Sequence, residues 1–303
     1  MKYYKLNQGI QEIFEIEKNS FELNTKMKKP YYQKNKNDEM VQYAVCPACD
    51  NPIEIIGLYK KLKNTDKPYG KHYPKTINRV AIYNQQAYEF CPYSSQKIQI
   101  TKDCRKELLT DFERNIYTLM KENFDIVVYI LSKVIDIKIT RVLAEEMLKT
   151  YISSKSWQYP WATLNNLPYM FGYLYPAQSL YGKLILKDSN LYNTLKKKFK
   201  EIIFKPSKYY KNYEILEVKE GSFLDLEYSL MLHNRKIQDN KLIETLKLSV
   251  SLGHPLKENL KEVYSKEIII DEPYFLNLIK KQENEKYRNK KLLEIANKLM
   301  LPI

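Results

Sequence analysis

All four cysteines of this 303-residue chain lie between positions 46 and 104. Cys46 and Cys49 form a Cys-x-x-Cys pair, Cys91 is followed by proline, and Cys104 stands alone. A Cys-x-x-Cys pair lets two thiolates on one tight turn reach the same ion, each about 2.3 Å away, and Pro47 favours such a turn. The spacing predicts a structural zinc site (Zn2+) that brings distant parts of the chain together.

The residues on either side of the first cysteine pair are apolar. Residues 43–45 precede the pair and residues 53–56 follow it, and both segments suit short β-strands. Cys91 repeats the Cys-Pro step, with Ser94 where another cysteine would complete a second pair. Because a metal-binding turn between strands is typical of zinc ribbons and treble clefs, residues 41–104 are predicted to form a zinc-knuckle module.

Two residues compete for the fourth position of this site. Cys104 lies at a predicted helix start, where backbone N–H groups and the helix dipole favour a thiolate. His72 lies between the two halves of the site, and histidine is a good zinc ligand. The favoured ligands are Cys46, Cys49, Cys91 and Cys104. A disulfide, a redox dithiol and four unrelated buried thiols remain as other interpretations.

The formal net charge is +14, and it is concentrated in two segments. Residues 58–79 hold seven basic residues and one acidic residue, and residues 183–211 hold nine and two. Such segments indicate a surface for a polyanion, most often nucleic acid. The alternative is a chain that is basic by composition alone. The predicted nucleic-acid contacts are Lys60, Lys61, Lys63, Lys71, Lys75, Arg79, Lys196, Lys197 and Lys198.

Composition points to a cytoplasmic protein with no membrane segment. No stretch of 18 consecutive apolar residues is present, and the N-terminal residues lack the apolar run of a signal peptide. Few cysteines, grouped at metal-binding spacing, are typical of a reducing compartment. With 44% hydrophobic residues, the chain can bury the core of one large domain or two ordinary ones.

Apolar periodicity predicts an α+β fold with a ribbon-like or treble-clef-like zinc module, a helical middle and a β-hairpin near the C-terminus. The expected parts are an N-terminal helix and linker (1–40), the zinc module (41–104), a helical domain with an aromatic and basic segment (105–212) and an α+β part (213–303).

Local patterns place individual elements within these parts. Apolar spacing predicts a first helix over residues 10–17, followed by a polar linker over residues 26–37, and Thr140 is expected to cap a helix over residues 141–152. Further expected elements are helices over 108–120, 124–135, 191–203 and 284–299, and strands over 223–232, 242–250 and 267–270, with a turn over 233–240.

No catalytic residue is predicted, because His72, His233 and His254 lie far apart and no phosphate-binding glycine loop is present. The first functional hypothesis is therefore a non-enzymatic nucleic-acid-binding accessory protein in which structural zinc holds a lysine-rich loop. The second is a protein-interaction module, for example an inhibitor or adaptor from a mobile element, whose partner meets the aromatic segment from Trp157 to Tyr175.

A third hypothesis is a metal-dependent nuclease, which requires clustered carboxylates and a lysine. The sequence offers one such set, around residues 214–227. Alternating charges on a strand are more typical of a solvent-exposed face, so this hypothesis ranks last. The set comprises Glu214, Glu217, Lys219, Asp225 and Glu227.

Overall fold

The computed structural model of the chain describes residues 1–9, 12–35, 37–60, 67–94, 100–238, 241–253, 261–271, 274–281 and 288–303. It shows an α+β protein, as expected. Two compact units are present. The first comprises Met1–Tyr117, Trp157–Leu164 and Arg235–Ile243, and the second comprises Thr118–Ser156, Asn165–Asn234 and Glu244–Ile303. The four-part division expected from the sequence stays a prediction.

The first unit contains a two-stranded ribbon, a four-stranded sheet and short helices. The ribbon pairs β1 (Tyr3–Tyr4) with β2 (Phe14–Glu15). The antiparallel sheet consists, in spatial order, of β3 (Tyr32–Lys34), β4 (Met40–Val45), β5 (Pro52–Ile56) and β6 (Tyr69–His72). The helices are α1 (Lys18–Thr25), α2 (Gln85–Glu89) and the start of α3 (Asp111–Glu122), with the last two residues of a 3-10 turn at Ser156–Gln158.

Aromatic and β-branched residues form the core of this unit. The Phe21 ring of α1 lies 5.0 Å from that of Tyr4 and 5.9 Å from that of Tyr32, measured between ring centroids. Ile53 of β5 is buried in the same cluster. The cluster also includes three of the four cysteines, namely Cys46, Cys49 and Cys91. These thiols are therefore enclosed by apolar side chains.

The second unit contains most of the helices. They are α4 (Phe124–Ile135), α5 (Arg141–Ser153), α6 (Leu167–Tyr173), α7 (Asn190–Lys198), α8 (Tyr274–Lys281) and α9 (Lys290–Leu299). Phe124 of α4 and Tyr151 of α5 both meet Phe171 of α6 edge to face. No helix in the described part of the chain has the length and apolar content needed to span a lipid bilayer.

Two further four-stranded sheets lie mainly in this unit, with residues 235–238 and 241–243 of their strands assigned to the first unit. One consists, in spatial order, of β10 (Ile202–Pro206), β11 (Tyr213–Val218), β9 (Leu184–Leu186) and β7 (Ile137–Lys138). The other consists of β14 (Lys261–Ile269), β13 (Lys241–Leu252), β12 (Leu226–Gln238) and β8 (Gln178–Ser179). Tyr192 of α7 packs on Phe204 of β10, with ring centroids 4.1 Å apart.

Several elements form where local signals predicted them. The helix expected over residues 124–135 is α4. Thr140 caps α5, because its Oγ1 accepts a hydrogen bond from the backbone N–H of Leu143 (3.4 Å). Strands β4 and β5 flank the first cysteine pair as expected. The strands β12 and β13 are neighbours in their sheet, and both extend beyond their expected ends.

Other elements differ because strand pairing overrides the local pattern. In the described part of residues 10–17, Phe14 and Glu15 pair with β1, and the first helix begins only at Lys18. The expected linker over residues 26–37 contains β3, which pairs with β4. The helix expected over residues 191–203 ends at Lys198, and β10 follows it. The turn expected over 233–240 is strand up to Gln238, and residues 239–240 lie outside the described residues.

Candidate metal centre

Four side chains that can bind a metal ion converge in the first unit. They are Cys46, Cys49, His72 and Cys91, and one ligand atom from each lies within 4.8 Å of all the others. The three cysteines are buried and His72 is partly buried. Among the described residues, no other group of three or more Cys, His, Asp or Glu side chains has this arrangement. This group could hold a metal ion.

The first two ligands lie on the turn between β4 and β5. The backbone N–H of Cys46 donates to the carbonyl oxygen of Asn51 (2.8 Å), and the N–H of Asp50 donates to that of Cys46 (3.1 Å). Asp50 has a φ of 57°, in the left-handed region that Asp enters more readily than most residues. These backbone hydrogen bonds close the turn, which holds the thiols of Cys46 and Cys49 in the same ligand group.

The other two ligands come from elements distant in sequence. His72 is the last residue of β6 and pairs with Ile53 of β5, so the register of the sheet places it beside the turn. Cys91 follows α2, and its N–H donates to the carbonyl oxygen of Tyr88 (3.0 Å). The Tyr88 ring also lies edge-on to the His72 ring, with centroids 5.1 Å apart. Tyr88 therefore contacts both of these ligands.

Two of the six distances between ligand atoms are close to those around a tetrahedral ion. With Zn–S near 2.3 Å and Zn–N near 2.05 Å, tetrahedral angles require about 3.8 Å between two sulfurs and about 3.6 Å between sulfur and nitrogen. The Sγ atoms of Cys46 and Cys91 are 3.7 Å apart, and Cys49 Sγ is 3.3 Å from His72 Nε2. A disulfide requires about 2.05 Å, and all four cysteines are unbridged.

Burial and neighbouring groups shift the pKa values of these four ligands in different directions. Burial raises the pKa of Cys46 and raises that of Cys91 well above its ordinary value. Burial also acts to raise the pKa of Cys49, but hydrogen bonds with Cys46 and Cys91 and the charge of His72 hold it well below its usual range. Burial acts to lower the pKa of His72, but interactions with Cys46 and Cys49 raise it to about 10. Metal binding at this group therefore has to release protons.

Cys104 does not belong to this group, which corrects the ligand set favoured from the sequence. Its side chain is half-buried, and its Sγ lies 3.4 Å from Thr101 Oγ1. The helix start expected at residues 101–104 is a turn, and α3 begins only at Asp111. His72 takes the fourth place because the pairing of β5 with β6 brings it to the turn.

A buried ion pair fixes the N-terminal ribbon to the cysteine turn. Lys5 and Asp50 are paired with almost no solvent exposure, and Lys5 also exchanges two backbone hydrogen bonds of 2.9 Å with Val45. Asp50 Oδ2 accepts a hydrogen bond from the N–H of Gly9 (2.9 Å). Burial raises the pKa of Asp50, and the charge of Lys5 opposes this change.

Asn51, which is not among the site residues predicted from the sequence, connects the two halves of the centre. Its Nδ2 donates to Cys49 Sγ (3.4 Å) and to the carbonyl oxygen of Asn84 (3.0 Å), and its Oδ1 accepts from the N–H of Asn84 (2.7 Å). Asn84 in turn caps α2, which leads to Cys91. The only sequence feature that points to a role for Asn51 is its position two residues after Cys49.

Replacing Asn51 with alanine is expected to weaken metal binding about 10–100-fold, the usual effect of removing a partner that orients a ligand. Competition against a chromogenic zinc chelator measures this change. Asn78→Ala is the matched control, because Asn78 is exposed in the same unit. Equal zinc affinities for the two variants would show that Asn51 does not support the centre.

The predicted nucleic-acid contacts of the first unit are exposed where the structure describes them. These are Lys60, Lys71, Lys75 and Arg79. Lys61 and Lys63 lie outside the described residues.

The predicted nucleic-acid contacts of the second unit lie in the last turn of α7 and are exposed. They are Lys196, Lys197 and Lys198. Two of the three already have contacts within the unit. Lys198 Nζ donates to the carbonyl oxygen of Val263. Lys196 Nζ lies 5.4 Å from the centroid of the Tyr192 ring.

The aromatic segment and the carboxylate set are the two remaining candidate regions from the sequence. Most aromatic side chains between Trp157 and Tyr175 are buried, and a partner for this segment stays a prediction. Glu214 accepts a hydrogen bond from the Tyr192 hydroxyl (2.7 Å), and Glu217 pairs with Lys205 (2.5 Å). Both lie on β11, whereas Glu227 lies on β12 of another sheet, as does His233.

Comparison of the chain with protein-family models, with curated proteins and with solved structures finds no match.

Proposed function

We propose that this chain is a non-enzymatic, cytoplasmic nucleic-acid-binding protein whose first unit is held together by one structural zinc ion. The convergence of three thiols and one imidazole, at distances that suit a tetrahedral ion, carries the metal part of this proposal. Three cysteines and one histidine are a common structural zinc set. Because four protein ligands leave no position for water or substrate, the ion has a structural role. Thiolate ligands of this kind suit a reducing compartment.

The positive charge of the residues around His72 supports the nucleic-acid-binding part of the proposal. Residues 67–83 contain four basic residues and no acidic one, and Lys71, Lys75 and Arg79 are exposed. Lys71 directly precedes His72 on β6, so an ion bound to His72 fixes the strand that presents Lys71. Side chains held in a fixed array lose less conformational entropy when they bind phosphates than those of a free loop.

Replacing Lys71, Lys75 and Arg79 with glutamine tests this proposal. The triple variant is expected to bind DNA or RNA more weakly, because up to three phosphate contacts are lost. The slope of log affinity against log salt should become shallower by up to about 2–3, given about 0.7–0.9 for each contact. Fluorescence anisotropy with labelled oligonucleotides at several salt concentrations gives both quantities.

The matched control replaces Lys26, Lys28 and Lys29 with glutamine, which removes the same charge from exposed positions of the same unit. Equal effects of the two triple variants would mean that net charge, and not the segment beside the metal centre, determines binding. A wild-type protein that binds no DNA or RNA at low salt would end the proposal.

A further inference from the structure

The turn between β10 and β11 presents an aromatic side chain between two lysines. Residues 207–212 read Ser-Lys-Tyr-Tyr-Lys-Asn and contain no acidic residue. Lys208, Tyr209 and Lys211 are exposed, and the Tyr209 side chain is 88% exposed. An aromatic ring this open contributes nothing to the core, so its contribution to folding is small.

Hydrogen bonds hold this turn in one conformation. Ser207 Oγ accepts from the N–H groups of Tyr209 (3.3 Å) and Tyr210 (3.1 Å). The N–H of Tyr213 donates to the carbonyl oxygen of Tyr210 (2.9 Å), and that of Lys187 donates to the carbonyl oxygen of Asn212 (2.9 Å). The turn is therefore ordered before any ligand binds, which lowers the entropic cost of binding.

The two adjacent tyrosines differ in their surroundings. Tyr210 is half-buried, its ring centroid lies 6.4 Å from that of Tyr213, and Lys138 Nζ lies 5.3 Å from the ring. Tyr210 thus anchors the turn to its own unit. Tyr209, in contrast, leaves nearly all of its side chain in contact with solvent.

We infer that this turn binds single-stranded nucleic acid, with Tyr209 stacked on an unpaired base and Lys208 and Lys211 at the flanking phosphates. The inference rests on the proposed nucleic-acid-binding function and assigns it a ligand class. An exposed ring beside cations suits stacking on a base in a single strand, where base faces are accessible. In a duplex, neighbouring base pairs cover the base faces. A polyanion without bases has charge but no aromatic ring on which Tyr209 could stack.

Two labelled ligands of the same length, about 12 nucleotides, separate stacking from charge. One is oligothymidylate and the other is an abasic oligonucleotide with the same phosphates. Tyr209→Ala is expected to weaken oligothymidylate binding about 5–100-fold in anisotropy titrations and to leave abasic binding unchanged. Tyr209→Phe, which keeps the ring, should retain wild-type affinity for both.

Phe223→Ala is the matched control, because Phe223 is 91% exposed in the same unit but stands near Glu220 and Asp225. It should bind both ligands like the wild type. If Tyr209→Ala binds oligothymidylate as tightly as the wild type, or loses abasic binding equally, stacking by Tyr209 is ruled out while the proposed nucleic-acid binding stands. If the wild type binds neither ligand nor any duplex, the proposed function fails and this inference fails with it.

Discussion

Cys91→Ser is expected to abolish zinc binding and unfold the first unit, whereas Cys104→Ser should leave both unchanged. Cys91 Sγ belongs to the group of four ligand atoms, and Cys104 Sγ contacts Thr101 outside it. Structural zinc contributes about 10–16 kcal/mol of apparent binding free energy in zinc-stabilised folds. This is comparable to the whole stability of an ordinary domain, about 5–15 kcal/mol, so the loss of one ligand has a large effect.

Elemental analysis of the purified protein measures the first part of this prediction. The wild type and Cys104→Ser are expected to hold about one zinc per chain, and Cys91→Ser and His72→Ala well under half of that. Tryptophan fluorescence measures the second part. Because the two tryptophans of the chain, Trp157 and Trp161, both belong to the first unit, their emission reports the folding of that unit.

Two results would contradict the proposed metal centre in different ways. Loss of zinc in Cys104→Ser with retention in His72→Ala would restore the ligand set favoured from the sequence. A wild-type protein that folds fully in a strong chelator and carries no zinc after purification would mean that the thiols are ordinary core residues. In that case, apolar packing alone would stabilise the first unit.

The spacing of Cys46 and Cys49 and the Cys-Pro step at Cys91 were enough to select three members of this centre, because they are local signals. The choice between His72 and Cys104 depended on a strand register. His72 joins the group because it pairs with Ile53 across β5 and β6. The register of β5 against β6, which are separated by residues 57–68, is not a local sequence signal, whereas the predicted helix start at Cys104 is local and therefore favours Cys104.

The helices and strands of the fold differ in the same way. Elements set by local sequence were predictable, and elements set by pairing with another strand were not. The cap at Thr140 and the apolar run of α4 lie within single elements, and both were predicted correctly. The segment around Phe14 has helical spacing, but it forms a ribbon with β1, because pairing with a neighbouring strand outweighs weak helical preference. Lys198 is predicted from its lysine run to contact nucleic acid. In the structure its ammonium group donates a hydrogen bond to the carbonyl oxygen of Val263.

Lys106→Met is expected to destabilise the first unit by about 3–5 kcal/mol, the cost of leaving a buried charge without its partner. Lys106 Nζ lies 2.7 Å from Glu113 Oε1, with side-chain exposures of 6% and 2%. Glu113 also accepts a hydrogen bond from the backbone N–H of Thr110 (2.9 Å) at the start of α3. Urea unfolding followed by tryptophan emission, with zinc present throughout, measures the change.

Lys34→Met is the matched control. Its partner in the same unit is Asp38, at nearly the same separation of 2.8 Å, but the two side chains are 59% and 80% exposed. Solvent screens such a pair, so no resolvable shift is expected. The double variant Lys106→Met/Glu113→Gln should recover most of the lost stability, because glutamine keeps an acceptor for Thr110 without the charge. Equal shifts for Lys106→Met and Lys34→Met would show that burial does not set the strength of the Lys106–Glu113 pair.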